Sequence, residues 1–260
     1  MIKFTVLGSG NFIPCLERHS SGHLIQTEKE NIVFDFGRGT IENILKKKLT
    51  LYDLDYIFIS HPHSDHLSDF GAFLGWAAEI PRIEKSKRIF KVYGPKGIKK
   101  AIEHLMRAFG IYYNFSKKDP GRLEIVELNS GEVVKTKSLK IKGIEVEHSS
   151  QWDNWKSMAY RIEYKNKIVC YSGDSPNCEG LREACKNADL AVMECTLPKK
   201  ANVKCHISGD ELGLIAKEEN IKKLIVVHVD NDYRPFLKKD IRKNYKGKLI
   251  IAKDMDEFKV

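Results

Sequence analysis

The stretch Ile57 to Asp69, I-F-I-S-H-P-H-S-D-H-L-S-D, constrains this chain more than any other. An apolar run, Tyr56 to Ile59, delivers four potential metal ligands within the next several residues: His61, His63, Asp65 and His66. Side chains two apart in an extended segment face the same way. His61, His63 and Asp65 can therefore converge from one side, and a turn at Asp65 brings His66 in from another. Imidazole and carboxylate together suit zinc and similar transition metals. One histidine here would read as a satisfied polar residue at a strand end. Four ligand-type residues at this spacing behind a buried strand read as a metal site. A single tetrahedral ion uses three or four ligands, so further ligands elsewhere imply a second ion.

Such ligands recur. Apolar strand-like runs end in His148, in Asp174 (Tyr171-Ser172-Gly173-Asp174), in Glu194 and in His228. Singly these are ordinary strand termini or a Gly-Asp turn. Residues at strand ends on one edge of a sandwich can meet in space, and His148, Asp174 and His228 with the first cluster make seven metal ligands, enough for two ions and a shared carboxylate.

His61-Pro62-His63-Ser64-Asp65-His66 resembles the H-x-H-x-D-H signature of the metallo-β-lactamase superfamily. Leu7 to Gly22 resembles the opening of its ribonuclease Z-type members. The resemblance implies an α+β fold, a four-layer αββα sandwich, with residues 1–260 as one hydrolase domain. It assigns His61, His63 and His148 to one metal site and Asp65, His66 and His228 to the other, with Asp174 bridging. The ions it implies are two divalent metals, Zn²⁺ first and Mn²⁺ or Fe as alternatives. Two ions about 3.5–4 Å apart share a water and lower its pKa toward ~7, giving a metal-bound hydroxide; Asp65 is placed both to ligate and to take the water's proton. Met193-Glu194-Cys195-Thr196 and Cys205-His206-Ile207-Ser208 resemble the H-E-A-T and G-H-S-T segments of ribonuclease Z-like phosphodiesterases. There the glutamate orients a histidine that acts on the leaving oxygen, so Glu194 and His206 are expected as a general-acid pair.

The chain departs from ribonuclease Z between His148 and Asp174, where a short hairpin replaces the tRNA-gripping arm; Glu194 to His228 is likewise too short for the β-CASP insertion of mRNA-processing relatives. The expected substrate is a phosphodiester: RNA 3′ ends, a cyclic nucleotide or a small diester. A carboxylic, thio- or sulfate ester or a lactone on the same site is the alternative, and a non-catalytic nucleic-acid-binding protein is a third reading that the complete ligand set disfavours. Trp152 and Trp155 either stack a base at the pocket mouth or close a packed lid. The resemblance also raises a homodimer, with no stretch that identifies an interface.

Composition adds limits. Charged residues interrupt every apolar run, so no membrane span is expected, and the start of the chain carries no signal-peptide pattern. Six cysteines without a C-x-x-C pair point to reduced thiols in a cytoplasm. The net charge of +9 favours anionic partners, but the lysines lie scattered among glutamates, which also fits a heat-adapted surface.

Locally, Gly8-Ser9-Gly10 lacks the third glycine of a dinucleotide fingerprint. His23 alternates into a strand as a structural residue, and His19 is expected in solvent. Asp35 either supports the metal loop from behind, as the resemblance implies, or makes a plain turn. A helix over Phe70 to Ile80 should stop at Pro81. A second helix, from Pro95 to Gly110, carries an apolar stripe including Leu105 and Phe109, with His104 exposed. The tail beyond His228 should hold one short helix and a last strand, Leu249 to Ala252.

Overall fold

The computed structural model describes residues 1–84, 88–111, 123–148, 155–196 and 204–260. The first half builds β1 (Lys3–Gly8), β2 (Gly22–Gln26), β3 (Asn31–Phe34), β4 (Tyr56–Phe58), β5 (Phe90–Pro95) and β6 (Leu123–Leu128) into one sheet. The second half builds β7 (Val133–Lys135), β8 (Lys140–Val146), β9 (Ser157–Tyr164), β10 (Lys167–Tyr171), β11 (Leu190–Glu194), β12 (Lys223–Val227) and β13 (Lys248–Ile251) into another. A final strand, β14 (Glu257–Lys259), returns to the first sheet and pairs antiparallel with β1. Each sheet is part antiparallel and part parallel; β3 to β6 and β10 to β13 are the parallel halves.

Alternation along the strands explains the layers. In β4, Phe58 faces the core between the sheets, and its neighbours Ile57 and Ile59 face the helices outside. In β11, Leu190 and Val192 face the intersheet core and Ala191 and Met193 the opposite helical layer. Strands covered on both faces must be apolar on both, hence the unbroken runs in the sequence. The outer layers are α1 (Thr40–Lys46), the short α2 (Ser64–Leu67), α3 (Phe70–Ile83) and α4 (Ile98–Ala108) on the first sheet, and α5 (Glu179–Cys185), α6 (Gly209–Glu218) and α7 (Arg234–Arg242) on the second. The αββα expectation holds, and the parallel strands aim their C-terminal ends at one edge.

Some local expectations fail. The α3 backbone continues through Pro81 to Ile83; a proline this near a helix end forfeits one amide donor in the last turn, and the long helix carries the loss. Phe109 follows α4 at 60% exposure, because the stripe spacing fixes a face without saying how far a neighbour extends over it. His19 is no solvated residue, since its Nδ1 lies 2.8 Å from Asp254 Oδ2. Strand β14 went unforeseen: three residues alternating between charged and aromatic leave too short a pattern to read.

At the end of the sandwich away from the strand termini, Glu30 joins the sheets. Only 3% exposed, it accepts the Lys137 and Ser138 amides, each at 2.9 Å, and the Thr136 and Ser138 hydroxyls at 2.8 and 2.6 Å. Glu30→Ala leaves these donors unmet inside the protein. The expected loss is roughly 2–3 kcal/mol in urea denaturation, with Glu30→Gln losing less; an unchanged midpoint would show the cluster to be well hydrated.

His23 lies in the intersheet core at 0% exposure, its ring 5.5 Å from Phe4 and 4.7 Å from Tyr171. Neither ring nitrogen has a partner. Burial, with the neighbouring His66 and His228 charges, pushes its pKa down to about 3. Between that value and the unfolded ~6.5 the unfolded chain binds the extra proton, so stability is lost as pH falls through this window. At ~1.4 kcal/mol per unit, the step from pH 6.5 to pH 5 removes roughly 2 kcal/mol. His23→Leu should remove that contribution, giving a shallower acid limb in denaturation of the metal-loaded protein. Parallel acid limbs would contradict the buried neutral imidazole.

Candidate metal centre

The strand ends converge. Asp35 follows β3, His61 to His66 follow β4, His148 follows β8, Asp174 follows β10, Glu194 ends β11 and His228 follows β12. Asp35 and His228 take φ of 59° and 55°, left-handed values that Asp and His tolerate better than most residues, and both turn a side chain back over the sheet edge. Gly173, also left-handed at φ 55°, passes so close to Ser60 and the Met158 carbonyl that a Cβ would come within 3 Å of both.

Two groups of donors share Asp174, and within each the ligand atoms lie within 4.8 Å of one another. In the first, His61 Nε2 and His148 Nε2 approach His63 Nδ1 at 2.9 and 3.2 Å and Asp174 Oδ2 at 3.8 and 3.7 Å. In the second, His66 Nε2 lies 3.5 Å from Asp65 Oδ2 and 3.3 Å from Asp174 Oδ1. His228 Nε2 lies 3.0 Å from Asp65 Oδ2 and 3.3 Å from Asp174 Oδ2. Ligands about 2.1 Å from a tetrahedral ion stand roughly 3.4 Å apart. Both groups already have that spacing. His66 Nε2 and Asp174 Oδ1 are buried without a hydrogen-bond partner, which is costly unless something else binds them. The donor set fits divalent metal ions.

The outer nitrogens explain why the inner ones are free. His66 Nδ1 donates to Asp35 Oδ2 at 2.7 Å. The Ser60 hydroxyl donates to the same oxygen at 2.7 Å and can accept His61 Nδ1–H at 3.0 Å. Ser60 N–H and Tyr171 O–H, each at 2.6 Å, complete the Asp35 shell. On the other sheet, Thr196 O–H donates to Glu194 Oε2 at 2.7 Å and can accept His228 Nδ1–H at 2.6 Å. His148 Nδ1 donates to the Cys205 carbonyl at 2.7 Å. With Nδ1 occupied as donor, Nε2 of His61, His66, His148 and His228 keeps its lone pair for the centre. Asp35 thus supports the metal loop from behind. Ser60, which carries this pattern on the first sheet, was singled out by no sequence signal beyond lying next to His61; Thr196 stood in the segment resembling H-E-A-T with no role assigned to it.

Charge follows from the same packing. Burial raises the Asp65 and Asp174 carboxyls, but the surrounding imidazoles outweigh it, leaving Asp65 at about 2 and Asp174 well below its usual value. Burial lowers His66 too, yet Asp174, Asp65 and Asp35 lift it well above an ordinary histidine. Burial and neighbouring histidines lower His61 well below an ordinary histidine and lower His63 as well. Paired buried carboxylates thus demand positive charge between them.

Glu194 also holds His206. Its Oε1 lies 2.7 Å from His206 Nδ1 and accepts the Ser175 amide at 2.8 Å. The His206 ring sits 4.8 Å from His148 and 5.7 Å from His228. Burial pulls the His206 pKa down, but the Glu194 charge and hydrogen bond, with Asp174, carry it up to about 9. The structure thus brings His61, His63, Asp65, His66, His148, Asp174, Glu194, His206 and His228 together. Trp155 borders it, 4.9 Å from the His63 ring; Trp152 lies outside the described residues.

This fold and centre define a metal-dependent hydrolase. The family described as the beta-lactamase superfamily domain matches residues 30–229, and the chain belongs to it. It is 26% identical to ribonuclease Z of Methanosarcina acetivorans, over 100% of this chain and 98% of that protein. It is 25% identical to ribonuclease BN of Escherichia coli, over 89% and 90%. Among solved structures, the metallo-β-lactamase fold protein YhfI from Bacillus subtilis superposes at TM-score 0.83 with 21% identity, covering 100% of both chains. The short form of human tRNase Z does so at 0.72 with 22% identity, covering 99% and 98%.

Asp35→Asn removes the acceptor charge behind His66 and His61. Metal affinity, read by competition with a chromophoric chelator, is expected to fall about 10–100-fold. An unchanged affinity would mean the outer shell does not tune this centre.

Proposed function

We propose that the protein is a phosphodiesterase acting on RNA through two divalent ions, most suitably zinc, with Mn²⁺ or Fe accepted by the same donors. In this reading His61, His63 and His148 hold one ion, Asp65, His66 and His228 the other, and Asp174 bridges them. Bound there, the ions would polarise a phosphoryl oxygen and lower the pKa of a water. Asp65, the most exposed of the site carboxylates at 8%, would be the residue placed to accept a proton from such a water.

The Glu194–His206 pair carries the reading. A transferring phosphoryl group is negatively charged, and its leaving oxygen needs a proton. An imidazole held protonated by a buried carboxylate, beside the shared Asp174, answers both needs. The names of the relatives, ribonuclease Z and ribonuclease BN, support RNA as the polymer. The two-residue turn between β9 and β10 leaves no room there for a tRNA-gripping arm, so RNA must be held elsewhere. We take residues 1–260 as one hydrolase domain. The compartment that fits six free cysteines, four of them buried, is a reducing one such as the cytoplasm.

Zinc- and manganese-loaded protein should hydrolyse bis(p-nitrophenyl) phosphate and a precursor tRNA faster than p-nitrophenyl acetate. Asp65→Ala should abolish diester turnover. His206→Ala should lower kcat by roughly 10²–10⁴ while metal content by mass spectrometry stays at the native value. Activity on the acetate with none on the diester would defeat the proposal in favour of an esterase or lactonase.

A further inference from the structure

Beside the centre lies a second feature that the metal ligands do not use. A groove of about 700 Å³ runs between the metal loop and α4, lined by Pro62 and Ser64 on one wall and by Lys100, Ala101, His104 and Phe109 on the other. Trp155 closes the end nearest the metals, its ring 4.9 Å from His63 and 5.9 Å from His61. The neighbouring amide of Lys156 donates to the Lys96 carbonyl at 2.9 Å, fixing Trp155 against the turn that starts α4. At the far end Phe109 is 60% exposed, yet its ring rests on Gly71 of α3, where a Cβ would come within 2.4 Å of it. Lys100 and His104 are exposed one helical turn apart, and Lys100 makes no ion pair among the described residues. Among the described residues no carboxylate lines the groove.

We infer that this groove binds the single-stranded nucleotide flanking the scissile phosphate, with Lys100 and His104 on its next phosphate and the Trp155 and Phe109 rings against bases. The inference deepens the phosphodiesterase reading and rests on it for the word scissile. Three observations converge. The volume falls within the ~300–1,000 Å³ of sites that enclose a small ligand. Aromatic rings with cationic groups along a wall are what single strands need, since every base has a face to stack and every linkage a charge. The groove also ends at Trp155, whose ring lies 4.9 Å from that of His63, so a strand held in it ends beside the centre. A small neutral ester or lactone would gain nothing from Lys100 or His104.

The test is binding of a fluorescent phosphorothioate oligouridylate, which resists cleavage, to metal-loaded native protein and Lys100→Glu by anisotropy across a salt series. Native protein should bind, and Lys100→Glu should bind at least tenfold more weakly with a salt slope shallower by about 0.7. Phe109→Ala should weaken binding severalfold with the slope unchanged. Equal affinity of Lys100→Glu and native protein, or no binding by native protein, overturns the inference. Bis(p-nitrophenyl) phosphate turnover by native protein, followed in parallel, reports on the phosphodiesterase reading separately, so a diesterase that ignores the oligonucleotide overturns the groove alone.

Discussion

Two buried carboxylates, Asp35 at 0% and Glu194 at 1% exposure, are what the centre depends on. A carboxylate can stay charged inside a protein only when its oxygens are fully occupied by donors. Each of these meets that demand in the same way. Asp35 takes one histidine directly, His66, and another through a hydroxyl, His61 through Ser60. Glu194 takes His206 directly and His228 through Thr196. The need to satisfy a buried charge therefore fixes four imidazole rings, and orienting those rings aims their remaining nitrogens at one point. One such carboxylate belongs to each sheet, so the centre forms only when the sheets are packed.

The packing is secured at both ends of the sandwich. Near the centre, the Met158 amide of β9 donates to the Ser60 carbonyl at 2.9 Å, and Tyr160 O–H reaches the Ile59 carbonyl at 2.6 Å. Away from it, Glu30 gathers the turn before β8. Between them the aromatic core of Phe34, Phe58, Tyr160 and Tyr171 fills the interface. Tyr171 serves both purposes, since its ring packs in that core and its hydroxyl completes the Asp35 shell. Loss of core order would reach the metal ligands through that single side chain.

The cluster of donor side chains was legible in the sequence because its chemistry is dense and local: four in six residues, then one at each of several apolar strand ends. Asp35 was not decidable, because its role rests on a left-handed turn and on Tyr171, a residue 136 positions away. Ser60 and Thr196 stayed silent for a related reason: a hydroxyl acquires its function from the carboxylate it touches, and sequence shows the hydroxyl alone. The fold class came with the family resemblance of the metal loop, and alternating strand-rich and helix-rich stretches agreed with it, whereas β14 depended on a partner at the far end of the chain. His19 was misread because Asp254, its partner, is equally remote.

Phe109 shows where periodicity stops being informative. Its ring reaches α3 at Gly71, where only the absence of a side chain leaves room for it, yet the residue stays 60% exposed. The same helix turns Lys100 and His104 toward the metal loop. A helix that only covered a sheet would place its apolar face inward and its charges outward. Here Lys100 and His104 border a cavity that ends at Trp155 beside the centre, and the Phe109 ring is left largely uncovered at its far end. That arrangement costs stability, through exposed apolar surface and unpaired charge, without serving the core. Both departures border the cavity that ends beside His63, and the nucleotide binding inferred for the groove would account for them at once.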